Sequence, residues 1–553
     1  MSTAPAIPAA APGPAGPVEE AALLSRVPMG VRLVALAGTG TAGLAAAIRR
    51  RDPAAQVVEL RALPPGIPPL LRGSVDALVW PDVLARLADP AAALAQAAAL
   101  LAPDGVLVAA VPNPFHWTFA DRLLRGGWDP GGEGPLGPGH LRLFTPEAVG
   151  DALQGAGLVP LDMLPDGVEE EEAAAFARRI APSLPALGVE AGALAARAAP
   201  RRHIWRAARR RATPLVVVAH VLKPVGGVND VRIDLPLNAM ATRPGVRIRI
   251  AQNPDTPALA AETPRIMLLH RRLLNGPDAA AHVQQFRRRG WVVVQEFDDD
   301  PAHWPVVAQS GHFAFRGVHA VQTTTPRLET LFRQYNGEVA VFPNTVAELP
   351  ERRNFADPRR MTLFLGALRR EDDIAPFLPA LNAVLAEAGG RLAVEVLFDR
   401  GTFDALATPH KRFHGILPYA AYRALMGSCE IAFMPLADTP FNNHKSDLKF
   451  VEAGAHRLAV LASPVVYGAT VRHGKTGLLV RTPDDLHAAL RRLLAHPEEA
   501  MALGEAAHGW VRGNRMLAGH VQRRLDWYRD LWARRAALDA AMLERAPEFA
   551  RLG

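Results

Sequence analysis

FNNHKSDLKFVEAGAHRLAVLAS, residues 441–463, decides the fold. A polar run, Asn442 to Ser446, leads into a helix whose apolar positions Leu448, Val451 and Ala455 recur at i, i+3 and i+7, which implies one buried helical face. After His456 and Arg457 comes LAVLAS, a short apolar run that reads as a parallel strand covered on both faces. Loop, helix and strand in that order suit a nucleotide site in an open α/β sheet. There the helix N-termini offer free N–H groups and partial positive charge to phosphates, and ligands lie beyond the strand ends. The chain has 62 lysines and arginines, of which only Lys223, Lys411, Lys445, Lys449 and Lys475 are lysine. Two of these five fall four residues apart in this segment. A compact ammonium serves a phosphate differently from a planar guanidinium; chance placement on an exposed helix face is the alternative.

KFVEAGAHRLAVLAS, followed by GKTGLLV at Gly474 to Val480, resembles the donor-binding half of the retaining glycosyltransferases of family four, which have the GT-B fold. The resemblance implies that Glu452 binds the ribose of a sugar nucleotide. It also places a second Glu, for the donor sugar, eight residues earlier, where this chain has His444. His444 and Asn443 are then the candidates for the sugar, Lys445 and Ser446 for the diphosphate, and Lys449 joins the donor-binding set. In this family an Arg and a Lys clamp the diphosphate from the loop at LGALRREDD, and the matching positions here are Ala367 and Asp372. Arg369 or Arg370 stands in for the missing guanidinium, because a neighbouring loop position still reaches a phosphate bidentately.

At 553 residues the chain is long enough for several domains, each with its own core. A formal charge of +7 suits nucleotides, anionic glycans or lipid head groups as ligands. With only 6% aromatic residues, and no basic run interleaved with them, no nucleic-acid partner is expected. A single Cys429 leaves no intrachain disulfide or cysteine-rich zinc site and suggests a cytoplasmic location. Residues 1–20 read as a disordered tail, and no apolar run reaches the length of a membrane span.

Residues 21–164 open with the strand VRLVALA (Val31 to Ala37) and then Gly38-Thr39-Gly40-Thr41-Ala42-Gly43 before an Ala-rich helix. A second strand ends near Glu59, placed for a ribose hydroxyl. With LAPDGVLVAAVPN and HLRLFTPEAV downstream, this region resembles class I methyltransferases that use S-adenosylmethionine. Gly38, Gly40 and Glu59 are the binding residues this implies. The family's acid in the first strand and its opening loop glycine correspond to Val34 and Leu36, so an active methyltransferase and a binding-only Rossmann module both stay open.

Residues 165–212 carry an acidic run, Glu169 to Glu172, and a basic one, RAAPRRHIWRAARRR (Arg197 to Arg211), and read as a charged helical linker with opposite charge at its two ends. Its arginines could rest on an anionic surface, giving peripheral contact at the inner membrane. Residues 213–346 then alternate strand and helix, which means a parallel sheet. In the GT-B resemblance this is the acceptor domain, with Gly226 and Gly227 in a loop facing the cleft and Asn344, in the linking FPNTV, added to the donor set. Residues 347–510 form the donor nucleotide domain and 511–553 the terminal helices.

WVVVQEFDDDPAHW places Asp298, Asp299 and Asp300 directly after a strand. Such acids hold a metal-bound sugar nucleotide in the other main glycosyltransferase fold, yet Asp300-Pro301 also reads as a helix cap with Pro at its first position. No metal is expected, and Asp299, lining the acceptor cleft, is a candidate catalytic residue beside His444.

The whole is an α/β chain of three Rossmann-like units, a methyltransferase-like domain followed by a two-domain GT-B glycosyltransferase. The resemblance implies transfer of a sugar from a nucleotide-diphosphate donor to a glycan or lipid-linked acceptor, with retention, in bacterial surface polysaccharide biosynthesis. The alternatives are an S-adenosylmethionine-dependent methyltransferase, or bifunctional enzyme, acting on a saccharide, and a non-catalytic glycan- or nucleotide-binding scaffold.

Overall fold

The computed structural model describes residues 17–38, 40–60, 72–127, 139–223, 227–357, 359–366, 368 and 370–552. Gly226, Arg369 and most of the N-terminal tail lie outside the described residues. The chain divides into two compact units, Met1–Pro214 with Ala241–Val246, and Leu215–Met240 with Arg247–Gly553.

The first unit is built on one sheet of β1 (Leu33–Ala37), β2 (Gln56–Leu60), β3 (Val75–Trp80), β4 (Leu101–Pro112), β5 (Val159–Val168) and β6 (Pro200–Ala208). Their order is β2-β1-β3-β4-β6-β5. β1 runs parallel to β2 and β3, β3 is parallel to β4, and β6 is antiparallel to both β4 and β5. Val34 and Leu36, where the methyltransferase pattern would put an acid and a glycine, are fully buried under the helix Ala42–Arg51.

This sheet corrects the expectation for residues 165–212. The acidic run does start a helix, Glu170–Ile180, but the basic run is not a helix: its centre is strand β6. Cross-strand pairing explains why. The register sets Asp162 opposite Arg206 and Asp166 opposite Arg202, so charges that look continuous in sequence meet opposite charges across the ladder. Arg202 Nε donates to Asp166 over 2.6 Å and Arg206 Nε to Asp162 over 3.0 Å, while Arg201 pairs with Glu169 and Arg210 with Asp104. Ile204 and Ala207 go into the core. The segment completes the first sheet rather than linking domains, and the basic surface expected to meet anionic lipid is largely neutralised.

The second unit carries two sheets. One has β7 (Leu215–His220), β8 (Val246–Ala251), β9 (Arg265–His270), β10 (Val292–Glu296), β11 (Ala320–Thr323) and β12 (Val339–Val341) in the order β12-β11-β10-β9-β7-β8. The other has β13 (Met361–Gly366), β14 (Leu392–Leu397), β15 (Lys411–His414), β16 (Ile431–Met434), β17 (Ala459–Ala462) and β18 (Leu478–Leu479) in the order β15-β14-β13-β16-β17-β18, every pair parallel. Val-rich runs such as LVVVAH are buried at every position, as parallel strands sandwiched by helices must be. The terminal helices return to the first of these sheets. The Tyr528 hydroxyl donates to Gln322 over 2.8 Å, Trp527 Nε1 to Glu338 over 3.0 Å, and Met542 and Phe549 enter that half's core.

The segment that decides the fold gains detail here. Its polar loop contains one helical turn, Pro440–Asn443, capped by the Thr439 side chain. The helix Leu448–Ala455 is buried on more than the one face expected. Phe450, Val451, Ala453 and Ala455 are all in the core, because a second helix, Pro497–Asn514, covers its far side and meets Gly454 with Ala507 and Val511.

Candidate functional site

In an open α/β sheet, the connections from neighbouring strands leave in opposite directions at one point, opening a crevice at the carboxyl ends of the strands. In the last sheet that point lies between β13 and β16, since β14 and β15 are laid down on one side of β13 and β16 to β18 on the other. The residues nominated from sequence converge there. Lys449 Nζ donates to the carbonyl of Gly366, the last residue of β13. Arg370, just beyond, donates from Nη1 to Asp373 over 2.9 Å and to Asn442 Oδ1 over 2.7 Å, and Asn442 Nδ2 returns a hydrogen bond to Asp373. Of the two arginines that could replace the diphosphate clamp, Arg370 therefore sits beside the polar loop.

The loop faces the carboxyl ends of β9 and β10 in the other half of the unit. Lys445 Nζ donates to both oxygens of Asp299 at 2.8 Å, and His444 Nδ1 lies 2.9 Å from Asp300 and 3.0 Å from the carbonyl of Pro440. Ser446 accepts a 2.8 Å hydrogen bond from Asn344 Nδ2, and Asn443 Oδ1 accepts one of 2.6 Å from Arg327. Asp300 is also the helix cap read from sequence, taking the amide of Ala302 over 2.9 Å with Pro301 next. Asp298 is held by Arg271 Nε, and the Arg271 backbone adopts a left-handed φ of 49°. Burial would raise Asp298, but Arg271, with Arg232 and His270 behind it, leaves it far below the usual carboxylate range.

Glu452 is only 2% exposed, and each of its oxygens accepts a tyrosine hydroxyl, Tyr419 over 2.7 Å and Tyr422 over 3.0 Å. Burial pushes its carboxyl up, and the two hydroxyls and nearby Arg423 and Lys449 pull it back only partly. Lys449 is driven down to about 7 by burial and by Arg370, against the attraction of Glu452 and Asp373. Burial likewise lowers Lys445, opposed by Asp299. Burial thus disfavours the charged form of Lys449, Lys445 and Glu452 alike, and groups shifted by burial and by charged neighbours cluster at functional sites.

Sequence reading missed Tyr419 and Tyr422. Their spacing of three in PYAAYRALM places both on one face of the helix Tyr419–Gly427, a signal that could have been noticed but that does not by itself point to Glu452. It also gave no hint that Asp447 would be clamped by Arg515, from the terminal helical region, with 3.0 and 2.7 Å contacts. His414, at the end of β15, pairs with Glu395 over 2.6 Å.

The first unit has its own switch point between β1 and β3. Gly38 (φ 123°) and Gly40 (φ 74°) turn the chain directly after β1 in conformations that favour glycine. Glu59 lies on the adjoining strand, level with Leu36, and accepts from Thr41 Oγ1 over 3.1 Å. Among the described residues, a Cβ at Gly40 would meet nothing within 4 Å. The two described glycines of the turn and the Glu59 carboxylate therefore lie together at this switch point.

Residues 359–496 match the family model of the group 1 glycosyl transferases, and residues 38–162 match that of a methyltransferase domain. These matches give the class of each region: a group 1 glycosyl transferase domain over residues 359–496 and a methyltransferase domain over residues 38–162, in a chain built of three Rossmann-like α/β units. No curated protein matches it. Similar solved structures include HepE of Anabaena in complex with UDP and glucose, at 13% identity and a TM-score of 0.43, covering 57% of this chain and 100% of that one. Sucrose-phosphate synthase of Thermosynechococcus elongatus is 16% identical with a TM-score of 0.43, over 58% of this chain and 99% of that one. A glycosyltransferase of Rickettsia africae is 12% identical with a TM-score of 0.43, over 58% and 99%.

Proposed function

We propose that the chain moves a sugar from a nucleotide-diphosphate donor to a glycan or lipid-linked acceptor, with retention of configuration, in the making of a surface polysaccharide. The observation that carries this reading is the convergence at the β13–β16 switch point. Lys449, Arg370 and Glu452 gather at the strand ends of one half, and from its polar loop Lys445 meets Asp299, His444 meets Asp300 and Ser446 meets Asn344 of the other half. In this reading Lys445, Lys449 and Arg370 gather the diphosphate and stabilise it as it leaves, by placed charge rather than by proton transfer. Glu452 takes the ribose, His444 and Asn443 face the donor sugar, and Asp299 holds Lys445 until phosphate replaces it. The test is release of nucleoside diphosphate from a panel of sugar nucleotides by the intact chain. Turnover of one donor, lost in Lys445→Ala, supports the reading; a chain that turns over none of them, with or without added saccharide acceptors, counts against it.

A second reading, that the first unit binds S-adenosylmethionine, is favoured by the turn at Gly38 and Gly40 beside Glu59. When bound, that cofactor supplies an electrophilic methyl group. The chain's own part is to hold the adenosine, with the two glycines giving close backbone approach and Glu59 accepting from the ribose hydroxyls. A rise in melting temperature with S-adenosylmethionine, reduced in Glu59→Gln, is the expected result.

A further inference from the structure

Glu452 accepts one hydrogen bond at each carboxylate oxygen, but the two donors are held differently. Tyr422 lies with its ring 5.8 Å from Phe364 of β13, edge to face, and packs against the core of the donor half. Tyr419, half-buried like Tyr422, is in the first turn of its helix, just after Pro418. Its ring neighbours are Tyr422, at 6.2 Å, and the Arg423 guanidinium, at 5.9 Å. The opposite half of the unit reaches it too: a Cβ on Gly227 would lie 2.5 Å from Tyr419 Cδ2 and 3.1 Å from Cε2. The ring therefore rests on a position that only glycine can occupy without moving it.

We infer that Tyr419 is a gate on the donor site, holding with its hydroxyl the oxygen of Glu452 that a ribose hydroxyl takes and tying that site, through its ring on Gly227, to the acceptor half. The inference rests on the donor-site reading above. A ribose hydroxyl and the Tyr419 hydroxyl are equivalent donors competing for Glu452 Oε1, and the carboxylate is too enclosed to be reached while the tyrosine stays. Rotation of the Tyr419 side chain frees the carboxylate and lifts the ring from Gly227 in the same movement. Donor binding and release of the Gly227 contact are thus one event. Apparent donor affinity is reduced by the fraction of chains in which the gate is shut.

The experiment is isothermal titration of the full chain with UDP, GDP and ADP, in the wild type and in Tyr419→Phe, Tyr422→Phe and Glu452→Ala. A hydrogen bond to a charged group contributes enough that its loss from the shut state shifts the equilibrium roughly tenfold. Tyr419→Phe is therefore expected to bind the preferred nucleotide about tenfold more tightly, whereas Tyr422→Phe gives no gain. Gly227→Ala, which evicts the ring but keeps the hydroxyl, is expected to tighten binding as well, and it stands in for Tyr419→Phe if that variant does not fold. Unchanged or weaker binding in the variant tested overturns the gate while leaving the donor site intact, provided Glu452→Ala abolishes binding. Unchanged binding in Glu452→Ala, or no nucleotide binding in any variant, overturns the donor-site reading and the gate with it.

Discussion

Lys445 Nζ donates to both oxygens of Asp299 at 2.8 Å, joining the loop that precedes the helix Leu448–Ala455 to the end of β10 in the other half of the same unit. The lysine side chain is 21% exposed and the aspartate 10%, so the pair is shielded without being sealed off. A phosphate reaching Lys445 must displace or share this carboxylate. Asp299→Asn, which keeps the shape and removes the charge, is expected to tighten nucleoside diphosphate binding several-fold. Lys445→Ala is expected to weaken it by roughly tenfold or more, the usual effect of losing a charge-assisted hydrogen bond. Titration calorimetry reads both; weaker binding in Asp299→Asn would mean that the acid belongs to the ligand site itself.

Protonation of Lys449 gives a pH dependence. Burial depresses this amine from 10.5 to about 7 in the folded chain, so above pH 7 it is mostly neutral, and diphosphate binding there takes up a proton. Affinity is expected to fall by up to about tenfold per pH unit above pH 7, with proton uptake visible as a buffer-dependent heat. Lys449→Arg, which stays charged, is expected to flatten the profile. The sign for stability follows from the same shift. Between about pH 7 and 10.5 the unfolded chain binds more protons at this site, so its contribution to stability improves as pH rises through that window.

Behind the site, Arg232 and Glu296 are paired at 2.8 Å, with exposures of 2% and 0%. Arg232 also donates to the carbonyl of Phe342 and to Asn344 Oδ1, and thereby fixes the residue that donates to Ser446. Arg232→Met strands a buried carboxylate and is expected to destabilise the second unit by about 3–5 kcal/mol in urea unfolding. A loss below 1 kcal/mol would mean that Glu296 finds another cation or takes up a proton.

In the first unit, Glu59→Gln is expected to weaken S-adenosylmethionine binding by roughly tenfold, through loss of a charged acceptor, without changing the chain's response to nucleoside diphosphates. An equal response to S-adenosylmethionine in variant and wild type would remove Glu59 from the site.

Much of this was legible in the sequence because the strands carry it locally. LVVVAH and LAVLAS are buried at every position, and a run of that kind reads the same way before and after folding. Asp300, followed by Pro301, likewise announces a helix start by its own chemistry. The failures lie where a residue's role is set by a distant partner. Arg202 and Arg206 look like one basic face until Asp166 and Asp162 are set opposite them across a ladder. Glu452 reads as a free carboxylate until Tyr419 and Tyr422, thirty or more residues earlier, close over it. The loop from Asn442 to Ser446 offers a row of donors in sequence, but in the fold most already have partners, and any ligand must compete for them.

The most direct measurement is the thermal shift of the intact chain and of Glu452→Ala with a panel of sugar nucleotides and nucleoside diphosphates, since a ligand that binds only the folded state raises its melting temperature. The expected result is a rise of several degrees with one nucleotide series in the wild type, lost in Glu452→Ala, whose own melting temperature without ligand stays close to that of the wild type. An equal rise in both proteins, or none with any nucleotide, would contradict a donor site built on residues 441–463.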